Sequence, residues 1–119
     1  MKAAVLLAFA LLLLASPSFG QFDFAKQAFQ GSRGMLKAYN EMREANYKGA
    51  DKYFHAKGNF DAANRGPGGK WASEVISNTR EFLQGANKPD SIADQEANRW
   101  GRNGGDPNKY RPEGLPKKY

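Results

Sequence analysis

The sequence of 119 residues contains no cysteine and only one histidine, His55. Without cysteine the chain has neither disulfide bonds nor a thiol nucleophile, and one histidine cannot build the ligand sets of zinc enzymes or the usual hydrolase triads. We expect His55 at the surface of a helix or at the edge of the core. The sequence therefore predicts no enzyme, no bound metal and no cofactor.

Phosphate-binding and calcium-binding motifs are also missing. The run Gly66 to Lys70 is rich in glycine but lacks the spacing of a phosphate loop. Asp90, Asp94 and Glu96 lie near the start of a predicted helix, but the glycine and the final glutamate of a calcium loop are absent. Helix capping and interaction with the helix dipole explain these acidic residues better.

Long hydrophobic runs are scarce, because the only one extends from Ala3 to Ala15, directly after Lys2. This run is too short to span a bilayer as a helix, and small residues follow it ahead of Gln21. The pattern predicts a signal peptide at residues 1–20 and a secreted, extracellular mature chain at 21–119. A buried core helix or a membrane anchor is the less favoured alternative, since polar sequence follows at once.

The net charge of +6 suggests polyanionic partners such as acidic glycans or anionic lipid. Secretion argues against nucleic acid. Basic residues alternate with acidic ones over most of the chain, which favours a solvated helix surface over a dedicated polyanion groove. The candidates for weak polyanion binding are the locally basic residues Arg99, Arg102, Lys109, Arg111, Lys117 and Lys118.

Glycine and proline divide the mature chain into helical segments. The pair Lys48-Gly49, the run Arg65 to Gly69, and Gly85 with Pro89 separate the segments from one another. Ser91 followed by Asp94 resembles a capping box at the start of the last one. The predicted helices cover residues 22–47, 51–64, 70–84 and 90–102.

Residues 103–119 contain three prolines and are predicted to form an extended tail. This tail is either a disordered appendage or a strap that packs across the helices. Tyr110, Leu115 and Tyr119 are spaced apolar anchors, which a solvated tail would not need. They favour the strap.

Two helices carry broad apolar faces when they are plotted at about 100° per residue. Such faces either form the inside of a bundle or meet lipid or a second copy of the chain. The second helix has few large apolar residues with which to cover the first, so apolar surface remains and favours lipid or self-association. The faces comprise Phe22, Phe24, Ala25, Ala28, Phe29, Met35, Leu36, Tyr39 and Met42, and then Trp71, Ala72, Val75, Ile76, Thr79, Phe82 and Leu83.

The segment from Met35 to Gly69 reads MLKAYNEMREANYKGADKYFHAKGNFDAANRGPGG and closely resembles the serum amyloid A family. The likeness continues through Trp100-Gly101-Arg102 to Tyr119 and covers nearly all of the mature chain. It implies an all-α, four-helix bundle with an extended C-terminal tail packed across it. It also implies an acute-phase protein that associates with high-density lipoprotein, forms homo-oligomers, binds glycosaminoglycans and, in some members, retinol, and that forms amyloid from its N-terminal part.

The same resemblance attributes the lipid-facing surface to the first and third helices. The leading hypothesis is a secreted lipid-binding protein, and the alternative is a cytokine-like signal that acts through cell-surface receptors. Leu36 stands where the family usually has tryptophan, Gly34 where it usually has aspartate, and the connector from Gln84 to Pro89 is shorter than usual. The implied lipid or retinoid site consists of Phe22, Phe24, Phe29, Leu36, Tyr39, Trp71, Val75, Ile76 and Phe82.

Overall fold

The computed structural model describes residues 19–119, with side chains from Asp23 onward. Most of the predicted signal peptide therefore lies outside the described residues. Helices account for most of the described chain, which contains no β-strand, and this confirms the all-α prediction. The four helices are α1 (Phe19–Ala45), α2 (Asp51–Ala63), α3 (Pro67–Gly85) and α4 (Pro89–Arg102), followed by a 3-10 turn at Pro107–Tyr110.

Proline sets the start of the last two helices. The third helix begins at Pro67 instead of Lys70, because proline needs no hydrogen-bond partner in the first helical turn and its backbone angle suits that position. Gly66, with a φ of 120°, turns the chain into it. Pro89 starts α4 in the same way, and the preceding Lys88 makes no side-chain cap hydrogen bond. The predicted capping box is therefore wrong, because its Asp94 binds another helix.

Short connections join the helices into a bundle in which α2 packs against each of the other three. Gly58 of α2 lies against Met35 and Ala38 of α1, and Tyr39 contacts the ring of His55. None of the helices in residues 19–119 is both long and apolar enough to cross a membrane. The four-helix architecture is confirmed.

The C-terminal tail is part of the core, which confirms the predicted strap. The Tyr53 hydroxyl donates a hydrogen bond to the main-chain oxygen of Tyr119 at 2.7 Å, and the Tyr119 hydroxyl donates to Glu44 at 2.5 Å. The tail is not extended throughout, since Asp106 caps the 3-10 turn by accepting from the Asn108 N–H at 2.9 Å. The tail's buried cluster consists of Ala50, Tyr53, Phe54, Leu115 and Tyr119.

Candidate functional site

The backbones of α1 and α3 touch where the two helices meet. A Cβ atom on Gly68 would lie 2.0 Å from the carbonyl oxygen of Phe24, and one on Gly31 would lie 2.7 Å from the Cα of Gly69. Both positions therefore require glycine. The Gly68 N–H also donates to the side-chain oxygen of Gln27 at 3.0 Å. This close approach places the apolar stripes of the two helices side by side.

Part of each stripe lies on the side of its helix that is turned away from α2. On α1, Leu36 lies about 160° around the helix from Ala38, which packs against α2. On α3, Trp71, Val75 and Phe82 fall within about 40° of one another. We use the term outer face for the predicted residues of both stripes that are not buried in the core, which are Phe24, Phe29, Leu36, Trp71, Val75 and Phe82.

The outer face leaves large apolar side chains in contact with solvent. Phe82 is 75% exposed, Phe29 61% and Leu36 43%. Phe24 and Trp71 join the two helices, with ring centroids 5.7 Å apart. Large apolar groups that stay exposed on two adjacent helices are candidates for a surface that binds lipid or protein.

The structure separates the predicted lipid or retinoid residues into two layers. Tyr39 and Ile76 lie beneath the outer face, 6% and 8% exposed, in a core cluster with Met35 and Ala62. The side chain of Phe22 is outside the described ones, and the remaining predicted residues form the outer face. Periodicity could not separate the layers, because it does not show how deeply a neighbouring helix covers each stripe.

Three exposed large apolar residues lie outside the predicted set, namely Leu83, Ile92 and Trp100. Leu83 is 57% exposed, and it lies on the apolar stripe that periodicity identified on α3. Ile92 is 55% exposed, but it is an isolated large aliphatic residue in the polar helix α4. No periodic signal could have identified Ile92 as a surface residue of interest.

The predicted polyanion-binding residues do not form one patch. Arg102 is buried and donates to the Asn59 side chain, and Arg111 of the tail donates to the Tyr53 hydroxyl of α2. Lys118 pairs with Glu44 at 2.9 Å. Arg99, Lys109 and Lys117 remain exposed, and Arg99 and Lys109 line an open groove together with Trp100 and Tyr110.

A buried polar cluster lies between α2, α3 and α4. His55 is only 2% exposed, so its predicted place at the surface or core edge is wrong. Its Nε2 atom lies 3.4 Å from Oδ2 of Asp94, whose Oδ1 accepts a hydrogen bond from Lys52 at 2.6 Å. These partners make it possible to bury the imidazole. The third member of the cluster is Glu81, which is fully buried.

The two carboxyl groups of this cluster are in different electrostatic environments. Burial opposes ionisation of Asp94, but hydrogen bonds and charge from His55 and Lys52 outweigh it and lower the pKa of Asp94 to about 2. Burial raises the pKa of Glu81, and the negative charge of Asp94 raises it further. His55, Ser91 and Arg80 offset this rise only in part.

A helical bundle without cysteine, with an apolar face on two adjacent helices and a strap that closes the core, defines the class of small apolipoprotein-like proteins. Residues 22–119 match the family model described as "Serum amyloid A protein", and the chain belongs to this family. The family comprises acute-phase apolipoproteins that are not enzymes. The resemblance predicted from the sequence is thus confirmed.

Relatives from several mammals match most or all of the chain. Serum amyloid A-1 protein from Homo sapiens is 57% identical over 122 residues, covering 100% of both chains. Serum amyloid A-5 protein from Mesocricetus auratus is 61% identical over 101 residues, covering 82% of this chain and 99% of its own. A serum amyloid A protein from Notamacropus eugenii is 63% identical over 101 residues, covering 82% and 80%.

Proposed function

We propose that this protein is secreted and associates with the phospholipid surface of high-density lipoprotein through the outer face of α1 and α3. The exposure of Phe29, Leu36 and Phe82 on that face is the observation that carries the proposal. Transfer of each such side chain into an apolar environment is worth about 1.5–3 kcal/mol when burial is complete. The predicted signal peptide at residues 1–20 supports secretion.

The contacts of the outer face suit a surface that exchanges water for lipid. None of the residues that make up the outer face is charged, and the exposed Lys37 lies about 80° around α1 from Phe29. An amphipathic helix of this kind lies in the plane of a lipid surface with its apolar side buried. The rest of the bundle, including the tail cluster, remains on the aqueous side.

The test uses phosphatidylcholine vesicles and the change Phe29→Asp or Phe82→Asp. Each variant places a charge where lipid would contact the face, so we expect the fraction that floats with vesicles to fall about tenfold or more. Flotation and the lipid-induced rise in far-ultraviolet helical signal measure the effect. Lys37→Gln on α1 is the matched control, because it changes the net charge by the same amount at an exposed site outside the face.

Equal loss in Lys37→Gln and Phe29→Asp would show that charge, and not the apolar face, governs association. A protein that neither floats with vesicles nor gains helical signal would contradict the lipid proposal. That result would favour the receptor-directed alternative, in which lipid binding is secondary.

Retinol binding would require more than one chain. A groove bounded by Tyr53 and Pro107 is open and includes the charged residues Lys57, Asp61 and Asp106, which does not suit an apolar ligand. We therefore propose that a retinoid would bind between the outer faces of two or more protomers. Retinol fluorescence enhancement that persists undiminished in Phe29→Asp would exclude this arrangement.

Glycosaminoglycan binding is supported by the exposed cations near the α4 terminus. The Lys109 ammonium lies 4.1 Å from the centroid of the Trp100 ring, and Arg99 borders the same groove. These residues offer an exposed basic site, whereas Arg102 does not. Heparin affinity that is independent of salt concentration would exclude an electrostatic site of this kind.

A further inference from the structure

Three helices contribute one ionisable side chain each to the polar cluster in the bundle. His55 comes from α2, Glu81 from α3 and Asp94 from α4, and each offers a potential ligand atom within 4.8 Å of the other two. Their exposed fractions are 2%, 0% and 9%. The cluster is therefore a pre-assembled set of one imidazole and two carboxylates, secluded from solvent.

The cluster contains polar atoms that lack partners. Within residues 19–119 no group makes a hydrogen bond of good geometry to either carboxylate oxygen of Glu81 or to Nδ1 of His55, and the Ser91 side chain lies only near enough to Glu81 to lower its pKa. Removing a carboxylate from water without a compensating interaction is costly, so such groups are normally paired or bound to a metal. Lys52 forms its hydrogen bond with Asp94 and not with Glu81.

We propose that His55, Glu81 and Asp94 form a binding site for a divalent cation of the zinc type. Zn²⁺ accepts imidazole nitrogen and carboxylate oxygen together, and sites with three protein ligands complete their tetrahedron with water. Two ligands of a tetrahedral zinc ion lie about 3.3 Å apart at the usual bond lengths. The 3.4 Å between His55 Nε2 and Asp94 Oδ2 matches this separation.

The remaining ligand must shift for the site to close. The ligand atoms of the three residues lie within 4.8 Å of one another. A side-chain rotation that moves the Glu81 carboxylate oxygen by about an ångström therefore brings it into the coordination sphere. The long, flexible side chain of a glutamate permits such a rotation. Ligands from several helices that meet inside a bundle are a common construction for metal sites.

Lys52 controls access to the cluster. Its ammonium lies 2.6 Å from Oδ1 of Asp94, and the two side chains are 31% and 12% exposed, which makes this pair the outer edge of the site. The ammonium competes with a cation for the charge of Asp94. Removal of the Lys52 charge should therefore strengthen cation binding, although it removes an ion pair from the fold.

The first experiment titrates ZnCl₂ into the purified, chelator-treated protein by isothermal titration calorimetry. We expect one high-affinity site, weakened about a hundredfold or more in His55→Gln and Glu81→Gln, because each removes a ligand. Glu74→Gln is the matched control on the same helix, since Glu74 is exposed. Far-ultraviolet circular dichroism establishes that each variant remains folded.

The second experiment follows the imidazole of His55 by ¹⁵N nuclear magnetic resonance, which is unambiguous because the chain has a single histidine. We expect Zn²⁺ to shift one imidazole nitrogen resonance in the intact protein, and Lys52→Ala to tighten binding about tenfold. A role of the cluster in folding alone would produce neither effect.

Three outcomes would overturn the proposal. One is a ZnCl₂ titration in which the unaltered protein gives no more binding heat than the Glu81→Gln variant does. Another is an imidazole spectrum that Zn²⁺ leaves unchanged. The third is equal weakening in Glu74→Gln and Glu81→Gln, which would place the ion on surface carboxylates.

Discussion

The α1–α3 pair and the α2–α4 pair are joined by different kinds of contact. Glycine lets the backbones of α1 and α3 touch, and one side-chain hydrogen bond, from the Gly68 N–H to Gln27, accompanies that contact. In α2 and α4, Gly101 also allows a close approach, but directional bonds follow it. Asn59 donates to Asn98 at 3.0 Å, and Lys52 donates to Asp94 at 2.6 Å.

The α1–α3 pair therefore presents a surface that can change its partner, whereas the contacts of the α2–α4 pair hold the bundle in register. Apolar contacts are not directional, so the outer face of α1 and α3 can exchange water for lipid without breaking polar bonds. Opening a buried polar network costs much more free energy, because each polar group is then left without its hydrogen-bond partner. We therefore expect lipid to reorganise α1 and α3 first, while α2, α4 and the tail stay together.

The largest expected effect comes from Gly68→Ala, which breaks the α1–α3 contact. A methyl group there meets the Phe24 carbonyl at 2.0 Å, so the helices must separate, and we expect a loss of about 3 kcal/mol in the free energy of unfolding. Urea denaturation measures it.

Gly34→Ala is the control for Gly68→Ala. Its Cβ would meet nothing within 4 Å, and alanine favours a helix by about 1 kcal/mol over glycine, so this variant should be more stable. A gain in stability in both variants would show that helix propensity, and not the close contact, decides the effect of these glycines.

The next largest effect tests the strap on the other side of the molecule. Leu115→Ala removes a side chain that is 5% exposed and packs with Tyr53 and Phe54, so we expect a loss of about 2–3 kcal/mol. Vesicle flotation should be unchanged, because the tail lies away from the outer face. A variant that loses stability and lipid association in parallel would contradict the separation of the two regions.

The smallest effect concerns Tyr39, which lies between the two regions. Burial raises the pKa of Tyr39 to about 12, above the ordinary tyrosine value of 10, so the unfolded chain ionises first as the pH rises. The folded state therefore loses stability between these values, by about 1 kcal/mol at pH 11. Tyr39→Phe should remove that loss, which urea denaturation at pH 9 and pH 11 measures. An identical alkaline decline in both proteins would assign it to other groups.

Local signals in the sequence predicted much of the fold. Glycine and proline marked the helix boundaries to within a few residues, and spaced apolar residues in the tail indicated the strap. The start of α3 was placed too late because Gly68 and Gly69 look like helix breakers. In the structure they are the residues that let α3 approach α1 and α2 closely.

The candidate sites were predictable only in part. The outer face followed from the apolar stripes on two helices, but Tyr39 and Ile76 belong to the core beneath it. The polar cluster was missed because His55, Glu81 and Asp94 are far apart in sequence and match no ligand motif. Spacing along one helix cannot reveal side chains that three helices bring together.

The sequence by itself determined the family, the four helices and the apolar stripes of α1 and α3. Those properties depend on local backbone preferences and on the helical repeat, which act within a few residues. Only the tertiary structure decided which apolar residues are covered and which are exposed, and that a histidine and two carboxylates meet in the interior. How deeply each apolar residue is covered, and which polar side chains meet, depend on how closely the helices pack. The glycines permit this close packing, and the tail completes the core.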